Sequence, residues 1–121
     1  MGITRLSNVA LENILLGKTK QNFKCVVKFY SSKCKLCHGL KPIYENISEA
    51  FEDDLHFFVF NAEQKADLNT LIDINGTPTI VFVDVRPNPN AVIMADPAEP
   101  DKETWYHVTD IMNFIEENLN D

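Results

Sequence analysis

The sequence of 121 residues contains only three cysteines, and it has no apolar run long enough to span a membrane. Three cysteines form at most one intramolecular disulfide, which excludes a small secreted domain held together by several disulfides. Residues 1–20 lack the long apolar core of a signal peptide. We therefore expect a cytoplasmic protein that works in a reducing environment, without a membrane.

Basic residues are also in the minority, with 11 Lys and Arg against 18 Asp and Glu and a net charge of −7. This balance argues against nucleic acid as a partner. The charge is uneven, because residues 1–42 carry eight basic residues and one acid, whereas residues 43–121 carry three basic residues and seventeen acids. The lysines of the first segment are either an ordinary solvated surface or a means of attracting acidic partners, and both interpretations stay open.

Hydrophobic periodicity predicts a single domain over residues 1–121 in which helices and strands alternate. The predicted helices are one capped by Ser7 or Asn8 and closed by Gly17, then 34–52, 67–74 and 108–119. The predicted strands are 26–30, 55–60 and 79–85. Four of the six prolines make residues 86–103 ambiguous, so that a further strand covers either 91–95, which we favour, or 103–107. This order predicts a mixed sheet with helices on both faces.

Two of the cysteines, Cys34 and Cys37, lie between the strand at 26–30 and the helical pattern that follows it. The strand therefore delivers both thiols to the first turn of a helix, where free N–H groups and the helix dipole favour an anion. We expect Cys34 to titrate below the value of about 8.5 of a free thiol. Since residues three apart lie on nearly one face of a helix, the second thiol can reach the first. The pair is interpreted as a reversible dithiol–disulfide couple.

The same cysteines allow two other interpretations. Cys34 to His38 also matches the attachment pattern of c-type haem, but that pattern requires export, and the buried strand leaves little room for a haem. A zinc site would need a fourth ligand besides Cys34, Cys37 and His38. We therefore predict no metal and no cofactor. Cys25 lies inside the apolar strand and is expected to be a core residue rather than a third redox centre.

Further residues give the chain a resemblance to the thioredoxin superfamily over nearly its whole length. The Cys34–Cys37 motif follows a Val-Val-Lys-Phe-Tyr strand, and Pro42 stands five residues after the second cysteine. Further along, Ile74 to Thr79 (Ile-Asn-Gly-Thr-Pro-Thr) resembles the family's cis-proline loop. The segment from Ile111 to Leu119 resembles its C-terminal helix.

The resemblance implies an α/β thioredoxin fold, in which a central mixed sheet of four or five strands is flanked by about four helices. It also implies that Cys34 is the exposed nucleophile and Cys37 the buried resolving thiol. In this reaction Cys34 attacks a partner's disulfide, and Cys37 then attacks Cys34 and releases the reduced partner. The chain would therefore be an enzyme, a thioredoxin-like reductant of protein disulfides.

By the same resemblance, Pro78 shapes the site and the backbone of Thr77 pairs with an extended substrate segment. The residues expected to contact substrate are Thr77, Pro78, Lys35 and Leu36. The implied partners are protein disulfide substrates and a reductase as electron donor, and the chain is expected to be a monomer. Trp105 and Tyr106 are interpreted as residues packed under the last helix rather than as part of a substrate groove. A disulfide oxidase or isomerase of the protein disulfide isomerase kind and a thioredoxin-fold interaction module remain open.

The chain departs from the family pattern next to the two cysteines. Lys33 stands where the family usually has tryptophan, and Lys35-Leu36 replaces the usual Gly-Pro. Lys28 replaces the family's buried acid, and Val59 aligns with the lysine that accompanies that acid. If Lys28 points under the site, burial lowers its pKa and its charged form favours thiolates; otherwise its ammonium extends to solvent. Lys28 and Lys33 are thus predicted to modulate the cysteine pair.

Overall fold

The computed structural model of the protein describes residues 3–64, 71–74 and 76–120. In chain order its elements are β1 (Thr4–Arg5), α1 (Asn8–Leu16), β2 (Phe23–Tyr30), α2 (Lys35–Ala50), β3 (His56–Asn61), a short 3-10 helix (Ala62–Gln64), β4 (Thr79–Val85), β5 (Asn90–Ile93) and α3 (Val108–Leu119). None of the helices within the described residues is long and apolar enough to cross a membrane.

The strands form one mixed sheet in the order β1-β3-β2-β4-β5. The central strand β2 runs parallel to β3 and antiparallel to β4. A parallel pair needs a long crossover connection, and α2 supplies it. Because helices cover both faces of the sheet, residues 25–29 of β2 are all buried. The register places Lys28 between Val59 on β3 and Ile80 on β4.

The first helix, α1, has clear start and stop signals in its sequence. The Ser7 hydroxyl caps it by accepting a hydrogen bond from the N–H of Ala10 at 3.1 Å. Gly17 ends it in the left-handed conformation, with φ of 71°, which suits glycine because it has no side chain. Leu11 and Ile14 are buried in the core between α1 and the sheet.

A second core lies on the opposite face of the sheet, beneath α2 and α3. Tyr44 of α2 is fully buried in this core. Its hydroxyl lies 3.0 Å from the carbonyl oxygen of Val26 and 2.7 Å from that of Phe58. These polar contacts satisfy the buried hydroxyl and fix α2 relative to β2 and β3. The N-terminus of α2 is therefore held at a set position above the sheet.

The predicted fold is confirmed, with five strands and, among the described residues, three α-helices instead of about four. The predicted helix at 67–74 lies largely outside the described residues. The favoured edge strand is present at Asn90–Ile93. The alternative strand at 103–107 is wrong, because Asp101 and Trp105 instead form an isolated bridge that closes a loop. β1 was not predicted, since two exposed residues carry no periodic pattern.

The loop that precedes α3 lies directly against α2 at Gly39. A Cβ atom at this position would overlap the carbonyl oxygen of Glu103. Glycine is unfavourable inside a helix by about 1 kcal/mol relative to alanine, so close backbone approach explains its presence here. This contact sets the distance between the first half of α2 and the loop that carries Trp105.

We expect Gly39→Ala to destabilise the protein by about 1 kcal/mol, although alanine is the better helix former. The added methyl group would push the loop at Glu103 away from α2. The free energy of unfolding in urea measures this effect. Asn46→Ala, at an exposed position of the same helix, is the matched control and should be neutral or slightly stabilising. A Gly39→Ala protein as stable as the Asn46→Ala protein would contradict the close approach.

Candidate active site

The first turn of α2 holds Cys34 and Cys37 together. Cys34 is the N-cap residue, with an extended backbone at φ of −91° and ψ of 107°. Its sulfur accepts a hydrogen bond from the N–H of Cys37 at 3.0 Å. A disulfide joins the two residues, whose Cα atoms are 5.2 Å apart. When this bond is reduced, the same N–H group and the helix dipole stabilise a thiolate on Cys34.

The two sulfur-bearing residues differ in their accessibility. Cys37 is only 3% exposed, whereas Cys34 is partly exposed at the surface. An incoming disulfide can therefore reach Cys34 but not Cys37. Lys33 and Lys35 flank Cys34 and are both exposed, so that their charges reach the sulfur only through solvent. The pair therefore has one accessible sulfur, at Cys34, and one sulfur that is protected from solvent, at Cys37.

The turn that leads from β2 into Cys34 is anchored by Glu63, which sequence reasoning did not identify. Its carboxylate accepts hydrogen bonds from the hydroxyl of Ser32 at 2.8 Å and the hydroxyl of Ser31 at 3.2 Å. The bonds from Ser32 hold the pKa of Glu63 below its ordinary value. In the sequence Glu63 is an ordinary polar residue after a strand, and only the parallel pairing of β2 and β3 brings it to this turn.

The Thr77–Pro78 segment lies on the other side of Cys34. The peptide bond between these residues is cis, and Pro78 is buried. The carbonyl oxygen of Thr77 lies 3.6 Å from the sulfur of Cys34. Both residues line a groove of about 500 Å³ that Leu36 also lines. Lys35 is exposed and does not line this groove, so the structure brings three of the four predicted substrate-contacting residues together.

Trp105 packs under the last helix as expected, and it also lines the groove, the position that the sequence analysis did not favour. Its ring is partly buried against the core under α3, but one side of it faces the groove beside Pro78 and Leu36. Tyr106 is fully buried, in agreement with its expected place in the core. The only signal in the sequence for a place in the groove was that the chain contains a single tryptophan. This signal does not distinguish a core residue from a binding residue, because large aromatic residues are common in both places.

A second cavity, of about 410 Å³, lies beneath the cysteines on the other side of α2. Cys37, Lys28 and Tyr44 line it, together with Glu45 and Lys41. Lys28 is only 4% exposed, and its ammonium group lies 5.0 Å from the centre of the Tyr44 ring. Burial is the main cause that lowers the pKa of Lys28 from 10.5 to about 8. The negative charge of Glu45 raises this pKa, and the positive charge of Lys41 lowers it. Lys28 thus points under the site rather than to solvent.

Of the two other residues that the sequence singled out, Cys25 lies away from the cysteine pair, whereas His38 lines the same cavity as Cys37. Cys25 is a free thiol buried in the core on the α1 face, where burial raises its pKa to about 12. His38 is exposed, with its Nε2 atom 3.0 Å from the carbonyl oxygen of Ser32. Among the described residues, no group of three or more His, Cys, Asp or Glu side chains is arranged to hold a metal ion.

Comparisons with known proteins agree with this fold and site. The thioredoxin family model matches residues 7–100. The chain is 28% identical over 68 residues to a thioredoxin of Borreliella burgdorferi, in a match that covers 56% of this chain and 58% of that protein. It is 30% identical over 82 residues to a protein disulfide-isomerase of Drosophila melanogaster, in a match that covers 68% of this chain and 16% of that protein.

Solved structures show the same fold over almost the entire chain. Chloroplastic thioredoxin z superposes with a TM-score of 0.70 at 19% identity, covering 97% of this chain and 94% of that one. Mitochondrial thioredoxin 3 from Saccharomyces cerevisiae, in its oxidized form, superposes with a TM-score of 0.68 at 22% identity, covering 95% of this chain and 94% of that one. With the family model matching most of its residues, the chain belongs to the thioredoxin family.

The reduced protein should be alkylated at Cys34 with a pH midpoint below the value of about 8.5 of a free thiol. The N–H of Cys37 and the start of α2 stabilise the thiolate, which is the reactive form. Iodoacetamide labelling as a function of pH, with mass spectrometry of the labelled peptides, measures this midpoint. Buried Cys25 is the internal control and should stay unlabelled in the native state. A Cys34 midpoint at or above 8.5 would contradict the proposed stabilisation.

Proposed function

We propose that the chain is a thiol–disulfide oxidoreductase that reduces protein disulfides through Cys34 and Cys37. The observation that carries the proposal is the bonded pair at the first turn of α2, with one sulfur accessible and the other buried. Membership of the thioredoxin family supports the same chemistry. The named relatives include both thioredoxins and protein disulfide-isomerases, so their names leave the direction of electron flow open. That direction depends on the environment of the cysteine pair.

The proposed reaction has two exchange steps. The Cys34 thiolate attacks one sulfur of the substrate disulfide, forming a mixed disulfide, and the other substrate sulfur leaves with the electron pair and takes up a proton. Cys37 then loses its proton and attacks the sulfur of Cys34, which releases the second substrate thiol. Two electrons pass from the protein to the substrate, and the Cys34–Cys37 disulfide remains. A reductase that supplies two electrons is the proposed partner that restores the dithiol.

The proposed setting is a reducing compartment such as the cytoplasm, with the chain acting as a monomer. The free thiol of Cys25 supports this setting, since an unpaired cysteine is more typical of reducing compartments than of secreted proteins. Its burial in the core removes it from exchange with the reactive pair.

Reduction of insulin by dithiothreitol should be accelerated by the wild-type protein, with turbidity from the released chains as the measurement. Cys34→Ser should fall to the background rate, because the mixed disulfide can no longer form. The matched control is Cys25→Ala, which removes the buried thiol on the other face of the sheet and should retain activity. If Cys34→Ser were as active as wild type, the proposed chemistry would be wrong and a role as an interaction module would be favoured.

Lys28 is proposed to shift the cysteine pair toward the oxidant end of the family. It lines the same cavity as Cys37 and is mostly protonated at pH 7, given its pKa of about 8. A buried positive charge next to a sulfur favours the thiolate, and stabilising the reduced form raises the reduction potential. This observation supports the second candidate function, a disulfide oxidase or isomerase. A potential near −270 mV would favour reduction, and one between about −180 and −120 mV would favour oxidation.

We expect Lys28→Met to lower the reduction potential by about 30 mV, which corresponds to a tenfold change in the equilibrium with glutathione. The variant lacks the positive charge that stabilises the reduced cysteine pair, and its reduction potential is therefore lower. The difference from wild type should shrink above pH 8, where Lys28 itself becomes neutral. Redox titration against glutathione at pH 7 and pH 9 measures both effects. Lys41→Met is the control, because Lys41 lines the same cavity but is exposed and should have a smaller effect.

The same substitution should stabilise the fold. The pKa of Lys28 is lower in the folded state than its ordinary 10.5, so below pH 8 the folded protein must bury a charge. The unfolded chain binds more protons between about pH 8 and pH 10.5, and wild-type stability therefore rises over that interval. Lys28→Met should be more stable than wild type by about 3 kcal/mol at pH 7, with the gain vanishing near pH 10.5. A gain that did not depend on pH would contradict the burial of the charge.

A further inference from the structure

Trp105 has a backbone conformation that is unusual for a bulky residue. Its φ is 65°, and it is the one non-glycine residue among those described with a positive φ. Side chains other than glycine are disfavoured in this left-handed region, and such residues persist only where their surroundings hold them. Backbone outliers of this kind cluster at binding sites, which makes the groove-lining side chain of Trp105 a candidate for function.

The loop around Trp105 is built to hold this conformation. The backbones of Asp101 and Trp105 exchange two hydrogen bonds, each of 3.0 Å. The carboxylate of Asp101 accepts hydrogen bonds from the N–H groups of Glu103 at 2.8 Å and Thr104 at 3.1 Å. The next residue, Tyr106, is anchored in the core at 0% exposure. The ring of Trp105 is therefore held in place at the wall of the groove.

The groove is lined by apolar side chains and by two negatively charged ones. Its apolar lining residues include Leu36, Pro78, Ile93 and Trp105. Among the described residues that line it, Asp73 and Asp96 are the charged ones, and both are exposed. The indole N–H of Trp105 donates a hydrogen bond to the carboxylate of Asp96 at 3.3 Å. An acid is thus fixed at the edge of an aromatic ring, in the groove that is also lined by Thr77, whose carbonyl oxygen lies 3.6 Å from the sulfur of Cys34.

Aromatic faces attract cations, and a carboxylate at the ring edge adds charge complementarity for the same group. An arginine or lysine side chain can bury its apolar stem against Leu36 and Pro78 and place its charge between the ring and the acids. The exposed Lys33 and Lys35 flank Cys34 without lining the groove, and they repel a cation, so a positively charged substrate residue is directed toward Trp105 and the two acids.

We propose that the groove between Pro78 and Trp105 binds an arginine or lysine side chain of the substrate next to its reacting cysteine, with Trp105, Asp96 and Asp73 selecting the positive charge. The substrates of this chain are then protein disulfides flanked by a basic residue. This inference rests on the proposed disulfide reduction and adds a preference to it.

The test uses the pre-reduced protein and three synthetic peptides, each with one intramolecular disulfide. The peptides are identical except for the residue after the first cysteine, which is arginine, glutamine or glutamate. The single-turnover rate constant for loss of the peptide disulfide is measured by chromatography of acid-quenched samples. We expect the arginine peptide to react about tenfold faster than the glutamine peptide, and the glutamate peptide to be slowest.

Two variants connect this preference to the groove. Trp105→Gly removes the ring while keeping a residue that tolerates a positive φ, and it should reduce the preference for arginine over glutamine to about twofold. Asp96→Asn keeps an acceptor for the indole N–H but removes the charge, and it should reduce the preference to about threefold. The matched control is Asp53→Asn, an exposed acid on the loop between α2 and β3, which should leave the preference unchanged.

A neutral small disulfide, 2-hydroxyethyl disulfide, separates failure of the groove proposal from failure of the proposed function. Equal rates for the three peptides, with reduction of the neutral disulfide intact, would overturn the preference and leave disulfide reduction standing. An equal loss of preference in Asp53→Asn and Asp96→Asn would also overturn it, because a general field effect would then explain the data. No reaction of wild-type protein with any of the four disulfides would overturn the proposed function itself.

Discussion

The arrangement of the cysteine pair depends on one hydrogen bond, from the backbone N–H of Cys37 to the sulfur of Cys34. It places a sulfur atom where a helix normally takes a capping oxygen, at the end of the helix with free N–H groups. Three contacts around it hold this geometry. Tyr44 fixes α2 to the central strands, and Glu63 fixes the turn that leads into Cys34. Gly39 lets the loop before α3 approach α2 closely.

The two sides of the cysteine pair have opposite electrostatic character. The cavity on the Cys37 side is lined by Arg5, Lys28 and Lys41, with Glu45 as the acid among its described lining residues. The groove on the Cys34 side has Asp73 and Asp96 as the charged residues among its described lining residues. The uneven distribution of charge along the sequence therefore separates the basic and acidic residues in the fold. The strands β1 and β2 and the start of α2 belong to the basic residues 1–42, whereas the wall of the groove comes largely from the acidic residues 43–121. The groove and the buried sulfur of Cys37 are thus exposed to different electrostatic fields.

Lys28 places a buried ammonium group at the position where the family resemblance implies a buried acid. We proposed that this charge favours the thiolate, whereas an acid at the same position would instead accept a proton from the resolving thiol. The aromatic face of Tyr44 and the carboxylate of Glu45 both compensate the buried charge in part. The remaining desolvation keeps the pKa near 8, so that the charge is present at neutral pH but can be removed by mild alkali.

Local patterns in the sequence were sufficient for much of the fold. The strand at Thr79–Val85 and the helix at Val108–Leu119 have their predicted bounds, because a short run rich in β-branched residues indicates a buried strand and a 3.6-residue apolar period indicates a helix. The place of Cys34 at the start of a helix was equally predictable, since a strand and an apolar stripe flank it closely. The two-residue strand β1 carried no such pattern and is defined only by its pairing with β3.

The surroundings of the cysteines were decided by contacts between distant parts of the chain. Glu63 reaches Ser32 from 31 residues away, and the Thr77 carbonyl reaches Cys34 from 43 residues away. The composition alone identified one tryptophan, but only the tertiary structure shows that it closes a loop with Asp101 and lines the groove. Periodicity reports whether a residue is inside or outside an element. It carries no information about which loop lies beside it, because that depends on how the sheet orders its strands and how closely the helices approach.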